Sequence, residues 1–214
     1  MGPSFTGPIH EIDADISKSR LLLSALPRHH PFRPICASFL ALQLYERFAL
    51  LNQRDDIDKA ILYCTDALLS PPPSWLAHGP LIFDALLYLA TSLCGRSGVS
   101  KEPEDVISGA KYFRFLRDSE DTPFAVRRQE VTAMLVAALS VQTELKASDV
   151  VQTLVEMTSL TTELLTSNPS SDHATRASSF FARAVGHLLP GLSPDRLLDK
   201  IIECLRLARV HKPE

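Results

Sequence analysis

The stretch NQRDDIDKAILYCTDALLSPPP, Asn52 to Pro73, decides the fold. It sets Asp55, Asp56 and Asp58 directly before an apolar run, so it reads either as an acidic metal cluster or as the first turn of a helix. A helix-borne motif for magnesium and a diphosphate needs carboxylates at its first, second and fifth positions, and the fifth position here is Lys59. Asp55 and Asp56 are also adjacent, and therefore point in different directions around a helix. An aspartate at a helix start instead accepts hydrogen bonds from the free N–H groups of the first turn and favours its dipole, and that is the role expected of Asp55 or Asp56. No metal site is expected. Downstream, Ile57, Ala60, Ile61, Cys64, Ala67 and Leu68 follow i, i+3, i+4, i+7, i+10, i+11, which puts all six on one helical face.

The same pattern recurs. EPEDVISGAKYFRFLRDSEDTP (Glu102 to Pro123), KASDVVQTLVEMTSLTTELLTSNP (Lys146 to Pro169) and SPDRLLDKIIECLRLARVHKP (Ser193 to Pro213) each open on a small or charged residue, continue as an apolar helix and stop at proline. Their key aspartates, Asp56, Asp105, Asp149 and Asp195, lie 49, 44 and 46 residues apart. A further helical segment precedes each, over 34–48, 80–94, 124–143 and 173–188. DISKSRLLLSALPRHHP, from Asp15, aligns with the opening stretch, Ile16 on Ile57 and Leu23 on Cys64, and reads as the second helix of a hairpin whose first is missing.

The expected fold is therefore all-α, an α-solenoid of about four helix hairpins plus one extra N-terminal helix, nine helices in all, each hairpin stacking on its neighbours. Residues 1–10 are expected to be loose and 11–214 to form a single repeat domain. The extra helix spans 11–27 and the hairpins span 33–71, 79–120, 123–168 and 172–211. Terminal helices without polar caps, with Leu21, Leu22 and Leu23 at one end and Ile201, Ile202 and Leu205 at the other, suggest apolar surface covered by self-association or by further neighbouring repeats.

The residues then resemble a known family. Arg33-Pro34, Leu40, Ala41, Leu44 and Phe48, followed by Asp56, Asp58, Ala60, Ile61, Ala67 and Pro72, resemble one unit of the tetratricopeptide-like arrays that precede caspase-like CHAT domains in fungal proteins. The family's loop between helices is longer than in ordinary tetratricopeptide units, and Ala49 to Arg54 supplies that length. Gly109 stands where Ala60 stands in the first unit, a departure from the pattern. No stretch resembles a caspase-like domain. The resemblance implies a surface for protein contacts and no protease activity. It also implies that the first helix of each hairpin lines the binding groove, with Ser38, Leu42, Tyr45 and Glu46 as the protein-binding residues. Leu42 and Tyr45 have a competing reading, in which they pack on the neighbouring hairpin.

Other classes find little support. A net charge of −3 and a pI near 6.2 give no basic footprint for nucleic acid. Leu81 to Cys94, the most apolar stretch, is too short to span a bilayer and carries Asp84, and no secretory leader is evident. Cys36, Cys64, Cys94 and Cys204 form no CxxC pair and read as small buried thiols of a reducing, cytoplasmic compartment. His187 facing Cys204 is the one thiol–imidazole pair that could serve as nucleophile and base, and it reads rather as a core thiol beside a helix-end imidazole; His29-His30 belongs to a turn. GRSGVS, Gly95 to Ser100, lacks the lysine of a phosphate loop and reads as a helix stop. No catalytic residue and no cofactor are expected. The function expected is a non-catalytic scaffold for a protein or peptide partner. A regulatory fragment acting on a separate CHAT effector and a helical enzyme stand behind it.

Overall fold

The structure is a computed structural model that describes residues 9–69, 78–119, 127–146 and 149–188. Among these residues all regular structure is helical. The eight helices are α1 (Ile9–Ala25), α2 (Arg33–Leu51), α3 (Arg54–Leu69), α4 (His78–Ser100), α5 (Pro103–Asp118), α6 (Arg128–Glu144), α7 (Val150–Ser167) and α8 (Asp172–Leu188). The ninth helix expected, around Ser193 to Pro213, falls outside the described residues, as do Ile201, Ile202, Cys204 and Leu205. The chain divides into two compact units, residues 2–127 and 128–214.

In the first unit the helices pack in chain order: α1 on α2, α2 on α3, α3 on α4 and α4 on α5, with α2 also touching α4. That is the neighbour-to-neighbour burial of a helical repeat, in which no hairpin covers its own apolar faces. The period of 49 holds residue by residue. Ile57, Ala60, Cys64 and Ala67 of α3 are buried, and so are their counterparts Val106, Gly109, Phe113 and Leu116 of α5. On the preceding helices, Leu40, Ala41 and Leu44 of α2 match Leu89, Ala90 and Leu93 of α4, all buried. In the second unit α6, α7 and α8 each pack on the other two.

Two connections differ from expectation. Ala49, Leu50 and Leu51 are helical, so the α2–α3 loop is only Asn52 and Gln53. No breaker precedes Asn52, which takes the left-handed conformation (φ 53°) and sends its N–H to the Phe48 carbonyl, the usual close of a helix. Likewise Gly95 to Ser100 is not a stop, for α4 continues to Ser100 and ends at the left-handed Lys101 (φ 62°). Gly95 is used for space: a Cβ there would lie 3.3 Å from both Ile57 and Phe48 and 3.5 Å from Tyr45. The glycine thus lets α4 approach α2 and α3 closely, which offsets its poor helix propensity.

Helix ends are handled in different ways. Asp149 caps α7, accepting from the N–H groups of Val151 and Gln152, as an N-cap aspartate should. Asp55 and Asp56 do not cap α3, because the helix begins at Arg54 and places both inside its first turn. Arg33 closes α1 instead of the residues of α1 itself, its Nη1 donating to the carbonyls of Leu23 (2.9 Å) and Leu26 (3.0 Å). Arg127 Nη1 donates to Asp84 Oδ1 at 2.7 Å and stacks 4.8 Å above the Phe83 ring, tying the end of the first unit to α4.

Candidate functional site

The aspartate of the opening stretch is taken by an arginine. Asp56, only 1% exposed, receives a two-pronged contact from Arg47 of α2, Nε on Oδ2 at 2.9 Å and Nη2 on Oδ1. The third nitrogen, Nη1, donates to Asp13 Oδ1 of α1 at 2.7 Å. One repeat on, Arg96 of α4 does the same: Nε and Nη2 hold Asp105 of α5 at 2.7 and 2.8 Å, and Nη1 holds Asp58 of α3 at 2.9 Å. Each guanidinium therefore joins three consecutive helices, using the planar fork that lysine lacks. Asp55 stays at the surface, paired with Lys59 one turn on.

These clamps correct the capping expectation, and the sequence did carry a signal for them. Arg47 precedes Asp56 by nine residues and Arg96 precedes Asp105 by nine. The position nine before Asp149 holds Ser140, buried and with no hydrogen-bond partner for its hydroxyl. Where no arginine competes for it, the aspartate caps its own helix. Among the described residues no group of three or more His, Cys, Asp or Glu side chains is placed to hold a metal ion.

The three described thiols, Cys36, Cys64 and Cys94, are free, and burial governs them. Desolvation pushes Cys64 up to about 12, and desolvation with the charge of Asp105 does the same to Cys94. Burial also raises Cys36, against the pull of Arg33. None of the three is a ready thiolate at neutral pH. His187 lies in the last turn of α8, and its expected partner Cys204 is outside the described residues.

On α2 the four residues expected to bind protein separate by helical phase. Ser38 and Tyr45, seven apart, face inward. Ser38 is 4% exposed with an unpartnered hydroxyl, and Tyr45 packs beside Phe48, ring centroids 6.4 Å apart. Burial, and then the nearby Cys94, raise the Tyr45 phenol. The competing reading given for Tyr45, packing on the next hairpin, is the one its contacts with α4 fit. Leu42 and Glu46 are half-buried and share a stripe with Phe39, at i, i+3 and i+7, and Phe39 is 58% exposed. Phe39 is the residue that the sequence reading passed over.

Glu46 has a raised carboxyl, first through burial and then through the charge of Asp15 on α1. A carboxyl raised in the fold stabilises below its unfolded value, and that contribution is lost as pH rises through the folded value. Glu46→Gln is therefore expected to raise the melting temperature relative to the parent at pH 7, with the gain shrinking towards pH 4. Thermal unfolding at both pH values measures it, and an equal gain at both would rule out this cause.

Among the described residues α2 is the one helix long and apolar enough to cross a membrane. In this fold it is a core helix, enclosed by α1, α3 and α4. Neither a scan against protein-family models nor a search of curated proteins returns a match.

Proposed function

We propose that the chain is a protein-interaction module of helical repeats, with the stripe Phe39, Leu42 and Glu46 of α2 as its contact surface. The observation that carries this reading is Phe39, a large aromatic 58% exposed on a helix whose other faces are held by α1, α3 and α4. An exposed aromatic on a rigid support is the residue type from which binding hot spots are built, because little conformational entropy is lost when it is covered. The arginine clamps supply the rigidity, since each fixes three helices through one side chain. The resemblance of Arg33 to Pro72 to tetratricopeptide-like units supports the same role, and the free thiols Cys36, Cys64 and Cys94 suit a reducing compartment such as the cytoplasm.

Photo-crosslinking tests this. A benzoylphenylalanine at position 39 of the full chain, irradiated in extracts of the native cell, is expected to give discrete adducts, and Leu42→Glu is expected to abolish them. No adduct from position 39, or adducts indifferent to Leu42→Glu, would defeat the assignment.

A further inference from the structure

Among the described residues, the repeat equivalences identify on α1 a half-interface that α2, the helix packed on it, leaves exposed. In the two complete hairpins of the first unit, one face of the second helix meets the first helix of the same hairpin. On α5 this face runs Asp105, Gly109, Tyr112, Leu116: Asp105 holds Arg96, and a Cβ on Gly109 would lie 2.9 Å from the Ala90 carbonyl oxygen of α4. On α3 it runs Asp56, Ala60, Tyr63, Ala67, with Asp56 holding Arg47. These positions follow i, i+4, i+7, i+11, a single stripe. Tyr63 and Tyr112 pack against or within the buried interior, and Ala67 and Leu116 are buried.

On α1 the register that sets Ile16 on Ile57 makes the same stripe Asp15, Ser19, Leu22 and Leu26. Every residue type needed is present: an acid, a small residue for close approach, then two apolar side chains. The neighbouring stripe is used normally. Ile16 and Leu23 are buried where α1 packs on α2, just as Ile57 meets Gly95 of α4. Of this stripe the Asp15 side chain and Leu22 are each 52% exposed, while Ser19 and Leu26 are half-buried. Asp15 meets Lys18 of its own helix at 3.0 Å, an exposed pair of the kind that contributes little.

What fits this face is also written in the chain. The first helices that meet the equivalent faces carry one pattern, Leu-Ala-x-x-Leu-x-x-Arg, as LALQLYER over Leu40–Arg47 and LATSLCGR over Leu89–Arg96. We propose that the Asp15–Ser19–Leu22 face of α1, with Leu26 just beyond the end of the helix, docks a helix from another chain that carries this Leu-Ala-x-x-Leu-x-x-Arg pattern, its arginine seated on Asp15. Glu46, whose carboxyl feels the charge of Asp15, adds to the negative potential awaiting that arginine. The proposal rests on the reading of the chain as a protein-interaction module and names the chemistry of one partner.

The probe is a fluorescent peptide of residues 33–51 with Cys36→Ser, titrated with the full chain and followed by anisotropy. Binding is expected. Asp15→Arg in the protein, or Arg47→Asp in the peptide, is expected to weaken it by more than about tenfold, because each leaves a charge facing its like. Combining the two changes should restore it, since the ion pair is then reversed. Ser19→Trp, which blocks close approach, should abolish binding, and Asp55→Arg, an exposed reversal on α3, should leave it unchanged. Binding that ignores Asp15→Arg and Ser19→Trp, or no binding at all, overturns the proposal. A dimer of the full chain that Asp15→Arg dissolves would overturn the choice of another chain's helix in favour of a second copy. Loss of peptide binding with intact crosslinks from position 39 would remove this docking site alone, whereas loss of both would remove the interaction reading.

Discussion

Replacing Arg47 with methionine is expected to lower the unfolding free energy by about 3–5 kcal/mol, the range for breaking one side of a buried ion pair. Both oxygens of Asp56 are held by this guanidinium, and the carboxylate is almost wholly removed from water. Without the arginine the charge must either remain uncompensated or take up a proton, and both cost stability. Asp13, half exposed, loses its contact more cheaply because water replaces the guanidinium. The double change Arg47→Met with Asp56→Leu should recover most of the loss, since it removes the stranded charge together with its partner. Arg96→Met should cost less, because the Asp105 side chain keeps 11% of its exposure. Denaturant unfolding of the full chain, followed by circular dichroism, measures all three. A loss below about 1 kcal/mol for Arg47→Met, typical of surface pairs, would show that the clamp is not the buried element described.

The second large effect is expected at Gly109. A Cβ there would sit 2.6 Å from Cys94 Sγ and 2.9 Å from the Ala90 carbonyl oxygen, so Gly109→Ala must push α5 away from α4. Overpacking of this kind costs about 1–3 kcal/mol. The gain in helix propensity, about 1 kcal/mol, offsets part of it. Cys94→Ala in the same chain should rescue only partly, because it removes the sulfur and leaves the backbone oxygen in place. At the equivalent position the α2–α3 pair accommodates Ala60, and Ala60→Gly should cost about 1–2 kcal/mol through backbone entropy and the loss of a buried methyl group. Thermal melts of the four proteins decide this, and a Gly109→Ala chain more stable than its parent would refute the close approach.

The difference between Gly109 and Ala60, its counterpart in the first hairpin, thus has a steric cause. In the first hairpin position 45 is tyrosine, and its ring turns towards α4. In the second the corresponding position 94 is a cysteine whose sulfur points at α5, and the space is made by deleting a methyl group on the facing helix. Side-chain direction across a helix pair is not written in spacing, so the glycine looked like a weakened repeat.

How much of the molecule was legible in the chain follows from the range of each interaction. Apolar periodicity is local, and it placed the buried residues Ile57, Ala60, Cys64 and Ala67 and the pairing of α2 with α3 and of α4 with α5. The helix ends at Asn52 and Lys101 were misjudged by several residues, because nothing local stops Leu50 or Val99 from staying helical. Of the four residues expected on the surface of α2, Ser38 and Tyr45 turn inward and Leu42 and Glu46 are half-buried beside the exposed Phe39, because exposure depends on which side α3 and α4 occupy.

The sequence by itself determined an all-helical repeat with a period of 49 in its first two hairpins, since that information lies in spacing and in prolines and aspartates that mark helix ends. Only the tertiary structure decided that Asp56 and Asp105 are buried counter-ions of Arg47 and Arg96 while Asp149 is a cap, because a carboxylate's role depends on which cation folding brings within about 3 Å of it. It also decided that Asp15, the equivalent aspartate on α1, is half-exposed and meets Lys18 of its own helix instead of an arginine of a neighbouring one.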